Sequence, residues 1–253
     1  MNLSKTEWLN IDWRRIELPA TWKMEQDKIP LKEHLRILLD HADERGKMLI
    51  TLGVSSGLRI GTITQLKLKN LKVIVDGKIQ SITNYLDKQL PENALGIITV
   101  TPEITKERTR KYLTFCTVEC LKYILTYLHK RLKNGEKLTS ESPLIRSTKS
   151  EDGFYILANS VAKIWRNLLK TTGSEKKARK WNLYCFHTLR KYFNTWCKLS
   201  GVQSDIVEFW LGHTQGVKTI YNMFGDVENP AVIKKLVKEY SKCIDALTIK
   251  IGE

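Results

Sequence analysis

The chain has 253 residues, 42% of them hydrophobic, enough for one large domain or two small ones around a true core. Forty-two lysines and arginines against 27 acidic residues give a net charge of +15, a balance that points to a polyanionic partner, DNA or RNA. No apolar run reaches the ~18 residues of a membrane span, and the opening Met1-Asn2-Leu3-Ser4 has no apolar signal core. The five cysteines (116, 120, 185, 197 and 243) are odd in number and form no CxxC pair. They argue against a disulfide framework or a zinc site and fit a reducing, intracellular compartment, cytoplasmic or nucleoid-associated.

Residues 1–29 read as an entry segment, with Trp8, Trp13 and Trp22 set among charges and Pro19 and Pro30 as punctuation. From Pro30 the pattern turns helical, with Leu31, Leu35, Leu38 and Leu39 at helical spacing. A second helix is predicted from Gly46 to Val54, and a third from near Arg59 that includes Ile60, Ile63 and Leu66. The period then changes. Leu71–Val75, Gly96–Val100 and Lys111–Phe115 are short and rich in β-branched or aromatic residues, and Asp76-Gly77 is a turn signal. These predict a small antiparallel sheet with an excursion at residues 80–95. Helices follow at roughly 117–133, 158–171, 187–200, 204–211 and 230–248, with a polar linker at 134–153 and a basic loop, Gly173–Lys180. The expected fold class is mainly α with one small antiparallel sheet (α+β).

Chemistry-bearing residues are scattered along this framework. Arg59 follows Gly57-Leu58, where a tight reversal would present it at a helix start that favours anions; the plain alternative is an exposed helix arginine. Lys106, in Thr105-Lys106-Glu107-Arg108, falls between two predicted strands, and a lysine there can reach into a groove and give a proton to a leaving alkoxide. Arg108, Arg110 and Lys111 make that hairpin an electropositive finger. His187 and Arg190, three apart, share one helix face and can hold one phosphate together, although an HxxR pair alone is better explained as a satisfied surface pair. Leu211-Gly212-His213 has the form of a helix end with glycine near its C-terminus. Tyr221 lies in an apolar stretch, Val217 to Phe224, where a tyrosine is commonly a core residue. A tyrosine with two arginines, a lysine and two histidines suffices to attack a phosphodiester without a metal. No P-loop is present, and no acidic cluster suggests a two-metal site.

These motifs, in this chain order, resemble the catalytic domain of tyrosine recombinases, the phage-type integrases and Xer-like enzymes, over residues 30–240. The resemblance is most specific at Gly57-Leu58-Arg59-Ile60, His187-Thr188-Leu189-Arg190-Lys191 and Leu211-Gly212-His213, and the lineage it suggests is archaeal or archaeal-virus. It implies site-specific cleavage and rejoining of double-stranded DNA without metal, ATP or other cofactor. Tyr221 would attack the scissile phosphate to form a 3′-phosphotyrosyl link and release a 5′-hydroxyl. Arg59 and Arg190 would neutralise charge on the pentavalent phosphorus, and Lys106 would protonate the leaving oxygen. His187 would help deprotonate the tyrosine, and His213 would hydrogen-bond a phosphate oxygen. Arg108, Arg110, Lys111, Lys176, Lys177, Arg179, Lys180 and Lys191 are the candidate DNA contacts. The implied partners are DNA carrying an attachment or crossover site and other protomers assembled on it.

Three departures from the family pattern stand out. Thr62 occupies a position that is often acidic, the interval from His213 to Tyr221 is slightly short, and residues 1–29 are too few to build the usual N-terminal core-binding domain. Weakened DNA affinity and poor full recombination are therefore expected of the chain by itself, and whether Tyr221 acts in its own site or a neighbour's stays open. The tail stripe (Val232, Ile233, Leu236, Val237, Tyr240, Ile244, Leu247) fits packing on its own core and docking on a neighbouring protomer equally well. A type IB topoisomerase shares the chemistry, and a non-catalytic DNA-binding relative would share the fold. The LGH motif and the length favour a recombinase over the first, and the intact residue set argues against the second.

Overall fold

The structure, a computed structural model, describes residues 28–105, 110–147, 155–174, 177–178, 181–182, 184–224 and 226–250. Helix α1 spans Lys32–His41 and α2 spans Glu44–Ser56. Asp43 caps α2 by accepting the Gly46 amide at 2.7 Å. Nearly every α2 side chain from Met48 onward is buried, so the helix runs through the centre of the molecule. Its hydroxyls are satisfied inside the helix: Thr51, Ser55 and Ser56 donate to the carbonyls of Lys47, Thr51 and Leu52 at 2.9, 2.6 and 2.6 Å. The third predicted helix shortens to a single turn, α3 at Ile60–Ile63, and Leu66 lies beyond it.

Strands β1 (Leu71–Val75), β2 (Lys78–Ser81), β3 (Leu95–Val100) and β4 (Tyr112–Cys116) form one antiparallel sheet in the order β2-β1-β3-β4. The fourth strand, β2, was not expected. It pairs with β1 across Asp76-Gly77, both in the left-handed region (φ 48° and 75°), with Val75 opposite Lys78. Its residues are mostly exposed, so it carries no alternating apolar signal. At the other edge β4 is buried throughout.

Helix α4 (Val118–Lys133) lies against α2, and α5 (Ala158–Thr171) follows. Within the expected basic loop β5 (Lys177–Ala178) forms, and it pairs antiparallel with β6 (Trp181–Asn182) just after that loop. Then come α6 (His187–Leu199), α7 (Ser204–Trp210), α8 (Thr214–Phe224), α9 (Pro230–Ser241) and α10 (Ile244–Leu247). The helix α8 around Tyr221 was not predicted, because Gly216, Val217, Thr219 and Ile220 are weak helix formers and tertiary packing overrides them. The single tail helix expected at 230–248 is two, interrupted at Lys242 and Cys243.

One aromatic cluster joins these layers. Trp210 meets Phe115 edge-on at 5.9 Å and lies 5.5 Å from Tyr240 and 6.2 Å from Phe193. The tail therefore packs on its own core here. The Tyr240 hydroxyl donates to the Ser55 carbonyl at 2.7 Å, and the Ile249 and Lys250 amides donate to the Glu119 carboxylate at 2.8 Å each. Burial pushes that carboxyl above its usual range, against the pull of the two amides.

Candidate active site

The first motif is shaped by a glycine. α2 ends on Gly57 in the left-handed region, φ 64°, and a Cβ there would lie 2.4 Å from the Phe193 ring. The reversal thus tucks against α6 and sets Arg59 just outside it, as the N-cap of α3 with its carbonyl accepting the Thr62 and Ile63 amides. Because α3 is one turn long, the anion affinity of this corner rests on the guanidinium rather than on a helix dipole. Gly57→Ala is expected to cost about 2 kcal/mol or more from backbone strain and overpacking. That corresponds to a fall in Tm of roughly 5 °C, read by thermal denaturation.

The second motif opens α6. His187, its first residue, is exposed, whereas Arg190, three residues on, is buried at 5% exposure. Leu189 and Phe193 fill the core as expected. The Arg190 guanidinium donates from Nη1 to the Gly57 carbonyl at 2.6 Å and from Nη2 to the Leu211 carbonyl at 2.7 Å. Nη2 also lies 3.0 Å from His213 Nε2. One side chain thereby links the Gly57-Leu58-Arg59, HxxR and LGH segments, up to 133 positions apart in sequence.

The third motif is a helix end. At the close of α7 the Gly212 amide donates to the Phe209 carbonyl at 2.8 Å and the His213 amide to the Glu208 carbonyl at 3.0 Å, with Gly212 at φ 67°. This is the Schellman pattern. A Cβ on Gly212 would meet the Tyr112 ring at 2.5 Å, so β4 packs directly under the turn. His213 Nδ1 contacts the Glu208 carboxylate, whose other oxygen takes a hydrogen bond from Lys198 Nζ at 2.8 Å. The sequence reading did not single out Glu208. The signal available was its place at the residue of α7 that a Schellman turn brings beside His213.

Tyr221 sits in the third turn of α8. Gly216 lets that helix approach α7, since a Cβ there would lie 2.4 Å from the Phe209 nitrogen. The Tyr221 hydroxyl donates to the Lys111 carbonyl at 3.2 Å, and the Arg110 guanidinium lies 5.3 Å from its ring centre. Burial pushes the phenol above its usual range, opposed by the charges of Lys111 and Arg110. Tyr221 is half-buried, while Tyr192 and Tyr240 are enclosed and hydrogen-bonded to the Ala246 and Ser55 carbonyls. Burial pushes Tyr192 up to about 12 and Tyr240 well above its usual range, which suits them to structure rather than attack.

Lys111 is paired with Glu228 at 2.6 Å, and Lys191 is half-buried on α6. Lys106, Arg108, Lys176, Arg179 and Lys180 lie outside the described residues, as do Trp8, Trp13 and Trp22. Lys177 falls in β5. β3 and β4 pair up to Val100 and Tyr112. Among the described residues no cluster of three or more His, Cys, Asp or Glu could hold a metal, and no helix is long and apolar enough to cross a membrane.

Residues 31–223 match the family model described as "Phage integrase family". No curated protein matches the chain. Among solved structures, the crystal structure of XerA recombinase superposes with a TM-score of 0.55 at 18% identity, over 88% of this chain and 66% of that one. The integrase from mycobacterium phage Brujita gives 0.53 at 15% identity, over 90% and 63%. The XerH site-specific recombinase bound to difH substrate gives 0.52 at 18% identity, over 78% and 50%. At these identities the likeness is one of fold, and the chain spans between half and two thirds of the length of these three structures.

Proposed function

Because the chain belongs to the phage integrase family of tyrosine recombinases, we propose that it cleaves and rejoins double-stranded DNA at a specific site through a covalent link to Tyr221. The observation that carries this reading is the Arg190 guanidinium, which gathers Gly57, Leu211 and His213 around one buried cation. A buried, geometrically fixed cation beside a histidine is what a developing phosphorane charge requires.

In the proposed reaction the Tyr221 oxygen attacks phosphorus and the bond to the 5′-oxygen breaks. The phenolic proton leaves with help from His187, and the 5′-oxygen takes a proton from Lys106. Arg59 and Arg190 neutralise the equatorial oxygens, and His213 donates to one of them. The phosphotyrosyl ester conserves the bond energy, so rejoining runs the same steps backward. A free tyrosine, with a pKa of about 10, is only ~0.1% ionised at neutral pH, so attack depends on these cations. Tyr221 lies eight positions from His213, about 12 Å along a helix axis, with its hydroxyl engaged by Lys111. Loading DNA is therefore expected to release that bond and shift α8 towards the phosphate. Exchange between two sites, which needs four strand cuts, would use several protomers.

The test is a nicked suicide duplex selected from a random-sequence pool by binding to this chain. A covalent protein–DNA adduct on the selected sequence, and none on scrambled duplex, is the expected result. Relaxation of arbitrary supercoiled plasmid would instead assign a topoisomerase, and binding without any adduct a non-catalytic relative. Affinity is expected to fall with salt by about 0.9 log units per log unit for each phosphate neutralised. Lys191→Ala, if it removes one such contact, lowers that slope by roughly one in a filter-binding titration.

A further inference from the structure

The structure assigns a role to Glu208: we propose that it is the positioning residue of His213, holding the imidazole proton on Nδ1 so that Nε2 is the atom presented to phosphate. The inference rests on the reading of His213 as a phosphate donor and adds a residue to it.

The local backbone places the pair. In a Schellman turn the residue after the left-handed glycine returns beside the third residue from the helix end, and the two commonly make a hydrophobic contact. Here those positions are His213 and Glu208, joined through the backbone at 3.0 Å, and the contact is a carboxylate on an imidazole. The carboxylate has little freedom to turn away. Its second oxygen is held by Lys198 from α6, and Gly216 brings α8 within van der Waals contact of the Glu208 backbone and Cβ. Burial pushes the Glu208 carboxyl up, but the hydrogen bonds from Lys198 and His213 more than reverse this and leave it below its usual range, ionised.

The other ring nitrogen completes the assignment. Nε2 faces Arg190 Nη2 at 3.0 Å, and a guanidinium can only donate. A neutral ring between an acceptor at Nδ1 and a donor at Nε2 carries its proton on Nδ1. When Nε2 turns to a phosphate oxygen it must bear a proton as well, and an anion opposite Nδ1 stabilises the imidazolium so formed, as a carboxylate does behind the histidine of a catalytic triad. Among the described residues Glu208 of α7 and Arg190 of α6 face the ring, and Lys198 of α6 is held on the far oxygen of the Glu208 carboxylate.

The experiment combines kinetics with a tautomer measurement. At saturating suicide duplex, the isosteric Glu208→Gln is expected to slow the single-turnover cleavage rate by roughly tenfold to a hundredfold, with the Kd for the same duplex within about twofold. In a His213→Ala background the same substitution should change the residual rate by less than about twofold. In DNA-free protein, long-range ¹H–¹⁵N spectra, with His213 identified from its loss in His213→Ala, should show the proton on Nδ1 and slow to exchange with solvent; in Glu208→Ala, where Arg190 still faces Nε2, that proton should exchange fast. A Glu208→Gln rate equal to the parent's, an equal slowing in the His213→Ala background, a parent ring protonated on Nε2, or an Nδ1 proton whose exchange is unchanged in Glu208→Ala would each overturn the proposal. A parent chain that forms no adduct would remove the cleavage activity itself, and the spectra would still decide whether Glu208 holds the Nδ1 proton.

Discussion

Tyr221→Phe is expected to abolish the covalent adduct completely while leaving DNA binding within about twofold. The substitution removes one oxygen, the atom assigned to attack, and the surroundings tolerate its loss. The only hydrogen bond forfeited among those described is the one to the Lys111 carbonyl at 3.2 Å, on a half-buried side chain. A hydrogen bond of that kind contributes about 1 kcal/mol net, too little to unfold the chain. The ring keeps its place beneath Arg110. The other two tyrosines considered supply internal controls. Tyr192→Phe and Tyr240→Phe should each retain the adduct but lower Tm, since each leaves a carbonyl, the half-buried one of Ala246 or the buried one of Ser55, without its tyrosine donor. An adduct formed by the Tyr221→Phe chain on the selected suicide duplex would place the nucleophile elsewhere. An adduct lost in Tyr240→Phe with the fold intact would do the same.

The second large effect is expected at Arg190. Arg190→Ala should reduce single-turnover cleavage by at least about a hundredfold to a thousandfold, the usual consequence of removing a fixed donor to a developing oxyanion. It should also destabilise the fold, by about 1–3 kcal/mol for each buried carbonyl left without a donor, here those of Gly57 and Leu211. Arg190→Lys separates the two roles. An ammonium keeps the charge but lacks the planar fork that reaches both carbonyls and the His213 ring at once. The salt dependence of DNA binding should then change little, while cleavage stays depressed by at least about a hundredfold and Tm recovers only in part. A lysine variant that cleaves at the parent rate would show that charge alone suffices and that the fork has no role in catalysis.

How much of this was legible beforehand depends on the range of the interaction concerned. The apolar stripe Leu35, Leu38 and Leu39 marked α1, and the β-branched runs at 71–75 and 96–100 marked β1 and β3, because helix and strand periods are written in neighbouring residues. β2 stayed hidden because an edge strand with no buried face has no period to read. α8 stayed hidden because its residues prefer other conformations until α7 covers them. The candidate residues were found as fragments: Arg59, the His187–Arg190 pair and Tyr221 each had a bland alternative, and only their company suggested chemistry.

The sequence by itself determined what local energetics decide: the left-handed turns at Asp76-Gly77, Gly57 and Gly212, the helix end before His213, the core-facing side of α6, and the excess of positive charge. Tertiary structure alone decided which groups those turns bring together. That Arg190 spans two carbonyls from segments 133 and 21 positions away, that Lys198 of α6 reaches the Glu208 carboxylate, and that Tyr221 rests on Lys111 from 110 positions away all depend on how the chain closes on itself. A dihedral preference or an apolar period is a free energy of adjacent residues and can be read in place. A contact between distant segments exists only once the core has brought them together, and no residue along the way records it.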